Sequence, residues 1–181
     1  MDSLKGQLLL ASPALVDPNF RRTVVLVTEH TEEGAAGLVL NRRSDTAVAE
    51  AVPDLTPLVP DEELVYVGGP VQQEAVLCLA EFEDPDDAAM LVVDHVGFVP
   101  GDGDFGLIAG STRHARVFAG YAGWGPGQLE AELEASSWIV EAAEGTDLFA
   151  DPTADLWGTI LRAKGGVYRV VALMPDDPST N

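Results

Sequence analysis

Side chains able to do chemistry are few and scattered in this chain of 181 residues. The three histidines, His30, His95 and His114, lie far apart and lack the i, i+4 spacing that sets two imidazoles on one helical face for a metal. Asp94 and His95 are adjacent on an expected strand, so they point to opposite faces and cannot chelate together. Zinc would have to be assembled from all three scattered histidines. No Gly-x-Ser-x-Gly occurs and no serine has an evident histidine partner, so a nucleophile elbow is missing. Cys78 is the single cysteine and sits in the apolar run Ala75–Ala80, where a thiol behaves as a small core hydrophobe. Nothing nearby supplies the positive charge or the access that a nucleophilic thiolate needs. No catalytic residue, metal ligand set or cofactor follows from these residues.

Two glycine-rich segments bear on ligand binding. Gly101-Asp102-Gly103-Asp104-Phe105-Gly106 has the spacing of a dinucleotide fingerprint. Its two aspartates would face a pyrophosphate, and no clear helix follows, so it reads as a surface turn. The stronger feature runs from Gly120 through Tyr121, Gly123, Trp124, Gly125, Pro126 and Gly127 into the helix starting at Gln128. A helix start offers free N–H groups to an anion or carboxylate, and Tyr121 and Trp124 could wall a ligand. The alternative is that the glycines build a tight strand-to-helix turn with the aromatics packed beneath it, and this is the preferred reading.

Those residues must be positioned by the surrounding elements. Gln7–Ala11, Thr23–Val27, Gly37–Leu40 and Leu64–Val67 are short, apolar and turn-bounded, and read as strands. Ala75–Phe82, Met90–Val96, Arg116–Gly120 and Tyr168–Leu173 are further candidates. Thr46–Val52 reads as a short helix stopped by Pro53. Gln128–Ala135 alternates Leu and Ala with Glu, but its residue types favour helix, and Glu130 suits the positive end of the dipole. Another helix is expected to begin at Asp151-Pro152, carry Leu156, Trp157, Ile160 and Leu161 on one face, and end at Gly165-Gly166. Many strands, few helices and no regular βαβ alternation predict an α+β fold in a single domain over residues 1–181. Phe20, Val25, Leu38, Val67, Leu79, Leu129, Trp138 and Leu161 are expected in the core.

Charge narrows the function classes. There are 30 acidic against 10 basic residues, a formal net charge of -20. A duplex-binding protein typically neutralises about 6–10 phosphates with Lys or Arg. Here the dense basic pairs are Arg21-Arg22 and Arg42-Arg43, so nucleic acid and anionic membranes are disfavoured. No apolar stretch approaches the ~20 residues of a membrane helix, and the N-terminal residues do not read as a signal peptide. A soluble cytoplasmic protein is expected.

The chain resembles the AlgH/YqgE family in Gly6-x-Leu-Leu-Leu-Ala-Ser-Pro13, Asp17-Pro18-x-Phe20-Arg21-Arg22-Thr23-Val24-Val25, Glu29-His30, Gly34-Ala-x-Gly37 leading to Asn41, Gly68-Gly69-Pro70, the Gly120–Glu130 stretch and Trp138. The resemblance spans nearly the whole chain. It implies a bent, barrel-like mixed sheet with a few flanking helices, and no established reaction; members are commonly described as transcriptional regulators. It also implies that Arg21, His30, Asn41, Gly69 and the glycine-rich turn belong to the family pattern. Relatives often have Cys where this chain has Thr28, Pro where it has Arg42, and Arg and His where it has Ala75 and Ala80.

The expected function is a binding or regulatory role through an unidentified protein or small-molecule partner, at residues drawn from Arg21, His30, Asn41, Gly69, Tyr121, Trp124, Gly125, Gly127 and Gln128. The competing reading is a hydrolase-like enzyme with His30 as acid/base and the Gly120–Gly127 loop holding an anion. Direct DNA binding lacks both the charge and a recognition-helix pattern. Convergence of His30, Arg21 and the start of the Gln128 helix on one cleft would favour the enzyme or ligand-binding reading, and separate burial would defeat it.

Overall fold

Leu8 and Leu10 face one side of the first strand and Leu9 and Ala11 the other, and all four are fully buried. The strand is apolar throughout because both of its faces are covered. In the computed structural model, which describes residues 1–176, it is one of ten strands in a continuous mixed sheet. These are β1 (Gln7–Ala11), β2 (Val24–Thr31), β3 (Gly34–Val39), β4 (Arg43–Ala47), β5 (Leu64–Val67), β6 (Val71–Phe82), β7 (Met90–Val93), β8 (Val96–Phe98), β9 (Thr112–Trp124) and β10 (Trp138–Ala142). The helices are α1 (Val48–Ala51), α2 (Phe105–Ala109), α3 (Gln128–Glu134), α4 (Gly145–Leu148), α5 (Leu156–Lys164) and α6 (Val167–Ala172).

The strand order is β10-β1-β2-β3-β9-β6-β8-β7, with β4 and β5 branching from β9. Every ladder is antiparallel except β5–β9. β9 is the organising strand. Its first part runs between β6 and β5, and its last residues, Ala122–Trp124, pair with β3. Gly120, at φ 73, lies between the two parts. A bend in the sheet brings β7 toward the start of β1, where a Cβ on Gly6 would lie 3.0 Å from the Val92 carbonyl oxygen. No ladder joins β7 to β10, so the expected barrel-like sheet is bent but open.

Three apolar clusters fill the layers. The first packs Leu8, Leu26, Leu38 and Phe118 against Trp157 and Leu161 of α5, whose indole N–H donates to the Ala11 carbonyl at 2.9 Å. The second packs Cys78, Phe82 and Val117 against Val48 and the 3-10 turn Pro53–Leu58. The third covers the opposite face of β1–β3 with Leu129, Trp124 and Trp138. Val25, Leu38, Leu79, Leu129, Trp138 and Leu161 are buried as expected, while Phe20 and Val67 are half-buried.

Several local expectations are corrected. Tyr168–Leu173 lies in helix α6 and beyond it, not in a strand: the left-handed pair Gly165-Gly166 turns the chain back along α5. Met90–Val96 is a hairpin turning at Asp94-His95, with Asp94 at φ 49, so these two residues do not sit on opposite faces of one strand. His95 Nδ1–H donates to the Phe82 carbonyl at 3.0 Å. A five-residue helix, α2, does follow the Gly101–Gly106 segment, and Asp104 caps it by accepting from the Leu107 N–H. Helix α5 is capped by Asp155 and starts at Leu156, while Asp151 closes a local turn on Thr153. β4, β10 and α4 were not expected, and β9 extends well beyond Arg116–Gly120 at both ends.

Candidate functional site

Two parts of the family pattern, His30 and the glycine-rich turn, meet at one junction, where the end of β2, the end of β9 and the first turn of α3 come together. Gly125 to Gly127 form the turn, and Gly127 stands at the helix N-cap with φ 73. Such an angle suits a residue without Cβ. Gly123 and Gly125 are not left-handed, and Gly120 to Trp124 belong to β9, so the loop is much shorter than the glycine pattern suggests. Gln128 reaches back with Oε1 to accept the Gly125 N–H at 3.0 Å, closing the turn from inside.

His30 approaches α3 from β2 with its side chain only 4% exposed. Its Nδ1 accepts the Leu4 N–H at 3.0 Å and its Nε2 lies 2.7 Å from Glu130 Oε1. An accepting Nδ1 carries no proton, so the ring is neutral with its proton on Nε2, donated to the carboxylate. Ser3 Oγ also donates to the His30 carbonyl, which fastens the N-terminal segment here. The Glu130 carboxyl is held below its ordinary value, first by a backbone N–H and then by His30. Both ring nitrogens are occupied, and a general base needs one of them free.

One turn along α3, Glu132 accepts from both indoles. Trp124 Nε1 and Trp138 Nε1 each lie 2.8 Å from its Oε2, and Gln128 Nε2 lies 3.1 Å from its Oε1. Trp138 meets Trp124 edge-on at 6.0 Å and Phe20 at 5.7 Å. Tyr121 packs on the other side of the sheet, in the α5 cluster, so it forms no shared wall with Trp124. Beside the junction is an open depression of about 220 Å³ lined by Glu29, Thr31, Glu33, Gly34 and Trp124.

The remaining pattern residues lie elsewhere. Arg21 and Arg22 pair with Asp176, at 3.4 and 3.0 Å, and Arg22 also stacks over Trp157. Asn41 Oδ1 accepts the Val24 N–H and its Nδ2 donates to the Arg22 carbonyl, both at 2.9 Å, so it pins the start of β2. Gly69 crosses β9 so closely that a Cβ would lie 2.1 Å from the Tyr121 carbonyl carbon. Thus His30 and α3 converge, and Arg21 does not join them. Sequence reasoning missed Glu132; an acidic residue one turn into a helix that follows a tryptophan-bearing strand was the available signal. Among the described residues, no group of three His, Cys, Asp or Glu is placed to hold a metal, and no helix is long and apolar enough to cross a membrane.

An open, bent α+β sheet with its glycine-rich strand end tied to a short helix through His30–Glu130 and the tryptophan–Glu132 bonds defines a structural class. The chain belongs to the AlgH-like family (DUF179), whose model matches residues 8–169. It is 42% identical over 181 residues to a UPF0301 protein of Mycobacterium avium, covering 97% of this chain and 90% of that protein. A UPF0301 protein of Mycobacterium tuberculosis is 40% identical with the same coverage. The crystal structure of protein DIP2367 from Corynebacterium diphtheriae superposes with TM-score 0.88 at 30% identity, covering 96% of this chain and 94% of that one. The solution structure of the AlgH protein from Pseudomonas aeruginosa gives TM-score 0.71 at 31% identity, covering 97% of each chain.

Proposed function

We propose that the protein is a soluble cytoplasmic binding or regulatory protein that acts through a protein or small-molecule partner. One observation carries the reading: His30 and both indole N–H groups at the junction are already engaged inside the protein. His30 spends one nitrogen on Leu4 and the other on Glu130, and the indoles spend their N–H groups on Glu132. Such groups hold a surface in shape rather than trade protons with a substrate. The hydrolase alternative needs His30 as acid/base and therefore needs these bonds to open. Direct DNA recognition is disfavoured by 30 acidic residues against 10 basic ones. The test pairs the purified protein with a His30→Gln variant on chromogenic carboxylic ester, phosphoester and amide substrates. Binding without catalysis predicts no turnover that depends on His30. Turnover by the wild type that the variant loses, with its fold intact by circular dichroism, overturns the reading.

A further inference from the structure

Basic side chains are scarce in this chain, 10 against 30 acidic, so their gathering in one place is informative. Arg43 and Arg116 line a single cavity with Asn41, Tyr66, Asp151 and Leu156. Arg116 comes from β9 and Tyr66 from the neighbouring β5, and they are only 8% and 1% exposed. The Arg116 guanidinium lies over the Tyr66 ring, 4.8 Å from its centroid, and donates to the Ala150 carbonyl. That leaves most of its five N–H donors for other acceptors. Among the described residues, neither Arg43 nor Arg116 is in an ion pair. The Tyr66 hydroxyl is buried at this cavity with no hydrogen-bond partner among those residues, an expensive arrangement for a polar atom. Burial pushes its phenol up, so the group keeps its proton and can donate. Asp151 is the one acidic neighbour lining the cavity; it is exposed to solvent, and its Oδ1 is taken by the Thr153 N–H and hydroxyl.

We propose that this cavity binds the acidic group of a ligand, a carboxylate or phosphate oxyanion held by Arg43, Arg116 and the Tyr66 hydroxyl. Two cations without an ion pair and a phenol donor without an acceptor among the described residues meet here beside the single carboxylate of Asp151, and an oxyanion would complete them; a cation would be repelled. The enclosed space is about 20 Å³, room for about one water-sized atom. Only the tip of the acidic group enters, and the rest of the ligand lies at the mouth beside Arg43. The site shares no residue with the junction around His30, so either reading can fail without the other.

Calorimetric titration at constant ionic strength, with inorganic phosphate and separately with succinate as probes and sodium chloride as reference, tests the site. Saturable binding of at least one probe is expected. Phosphate alone points to phosphorylated ligands, succinate alone to carboxylates, and either result supports the site. Tyr66→Phe removes one oxygen that has no partner, so its melting temperature should match the wild type while anion affinity falls about tenfold. Arg43→Ala, at an exposed position, should weaken binding by a similar factor. The proposal is overturned if neither probe saturates above the chloride reference. It is equally overturned if Tyr66→Phe binds as tightly as the wild type, even where Arg43→Ala is weaker, because a surface cation would do as much.

Discussion

Glu132→Ala is the perturbation that best separates a structural junction from a functional one. The carboxylate accepts both indole N–H groups through a single oxygen, each at 2.8 Å, and the two tryptophans are 6% and 5% exposed. A hydrogen bond to a charged group contributes about 1.5–3 kcal/mol, and a buried donor left without an acceptor loses a similar amount. Glu132 itself is half-exposed, so water can reach part of the vacated space, and the two losses share one group. An overall loss of about 3 kcal/mol is the reasoned expectation. For a chain of this length each kcal/mol moves the melting temperature by about 2–4 °C, so the variant should melt roughly 6–12 °C lower. Glu132→Gln keeps one acceptor oxygen for the indoles but loses the charge and sets an NH2 donor against the Gln128 amide, at a more exposed position, so its melting temperature should fall less, by about 2–4 °C. The assay is thermal unfolding followed by near-ultraviolet circular dichroism, which reports the packed indoles. A Glu132→Ala protein melting within about 2 °C of the wild type would refute the argument, as would a Gln variant as damaged as the Ala variant.

Gly69→Ala must push a Cβ to within 2.1 Å of the Tyr121 backbone and should cost about 3–5 kcal/mol in urea denaturation, whereas Gly123→Ala meets nothing nearer than 3.5 Å and should change stability by about 1 kcal/mol or less. Burial pushes the Cys78 thiol up to about 12, so iodoacetamide at neutral pH should label it only in denaturant, and rapid labelling of the native protein would contradict this. The Lys164 ammonium, 2.7 Å away, holds the Glu141 carboxyl below its ordinary value. A depressed carboxyl stabilises the fold above its unfolded value, so the gap in denaturation midpoint between wild type and Glu141→Gln should be constant above about pH 5 and close as the pH falls below 4.5. Gel shifts with duplex DNA near physiological salt should show no submicromolar sequence-selective binding, given 30 acidic and 10 basic residues.

What was legible in the sequence follows from how local each signal is. β1 and β5 begin and end where their apolar runs do, Gln7–Ala11 and Leu64–Val67. Helix α3 was readable from residue type despite its strand-like alternation. The failures share a cause. Val167–Ala172 is rich in residues that favour strands, yet the turn at Gly165-Gly166 lays it along α5, and packing overrides propensity. Gly120 and Gly123 looked like loop residues because glycine marks turns more often than it marks close approaches of backbone. In the fold they let β9 run on to Trp124, with Gly120 packed so tightly that a Cβ would lie 2.6 Å from the Gly69 carbonyl oxygen. That crossing joins positions 69 and 120, and no window of sequence contains both.

The same logic separates the two candidate sites. The junction was visible because its motif is continuous: Trp124 to Glu132 fall within three helical turns of each other in sequence. In the fold the motif closes on itself, Gln128 on Gly125 and Glu132 on two tryptophans. The arginine cavity was invisible because Asn41 and Arg43, Tyr66, Arg116 and Asp151 come from four separate stretches, and only the parallel pairing of β5 with β9 brings Tyr66 beside Phe118 and so beneath Arg116. One hint was present. Arg116 opens the apolar run Val117-Phe118-Ala119 on a strand buried on both faces, where a charge is expensive unless it is matched. The Tyr66 ring and the Ala150 carbonyl match part of that charge, and the proposed oxyanion would supply the rest.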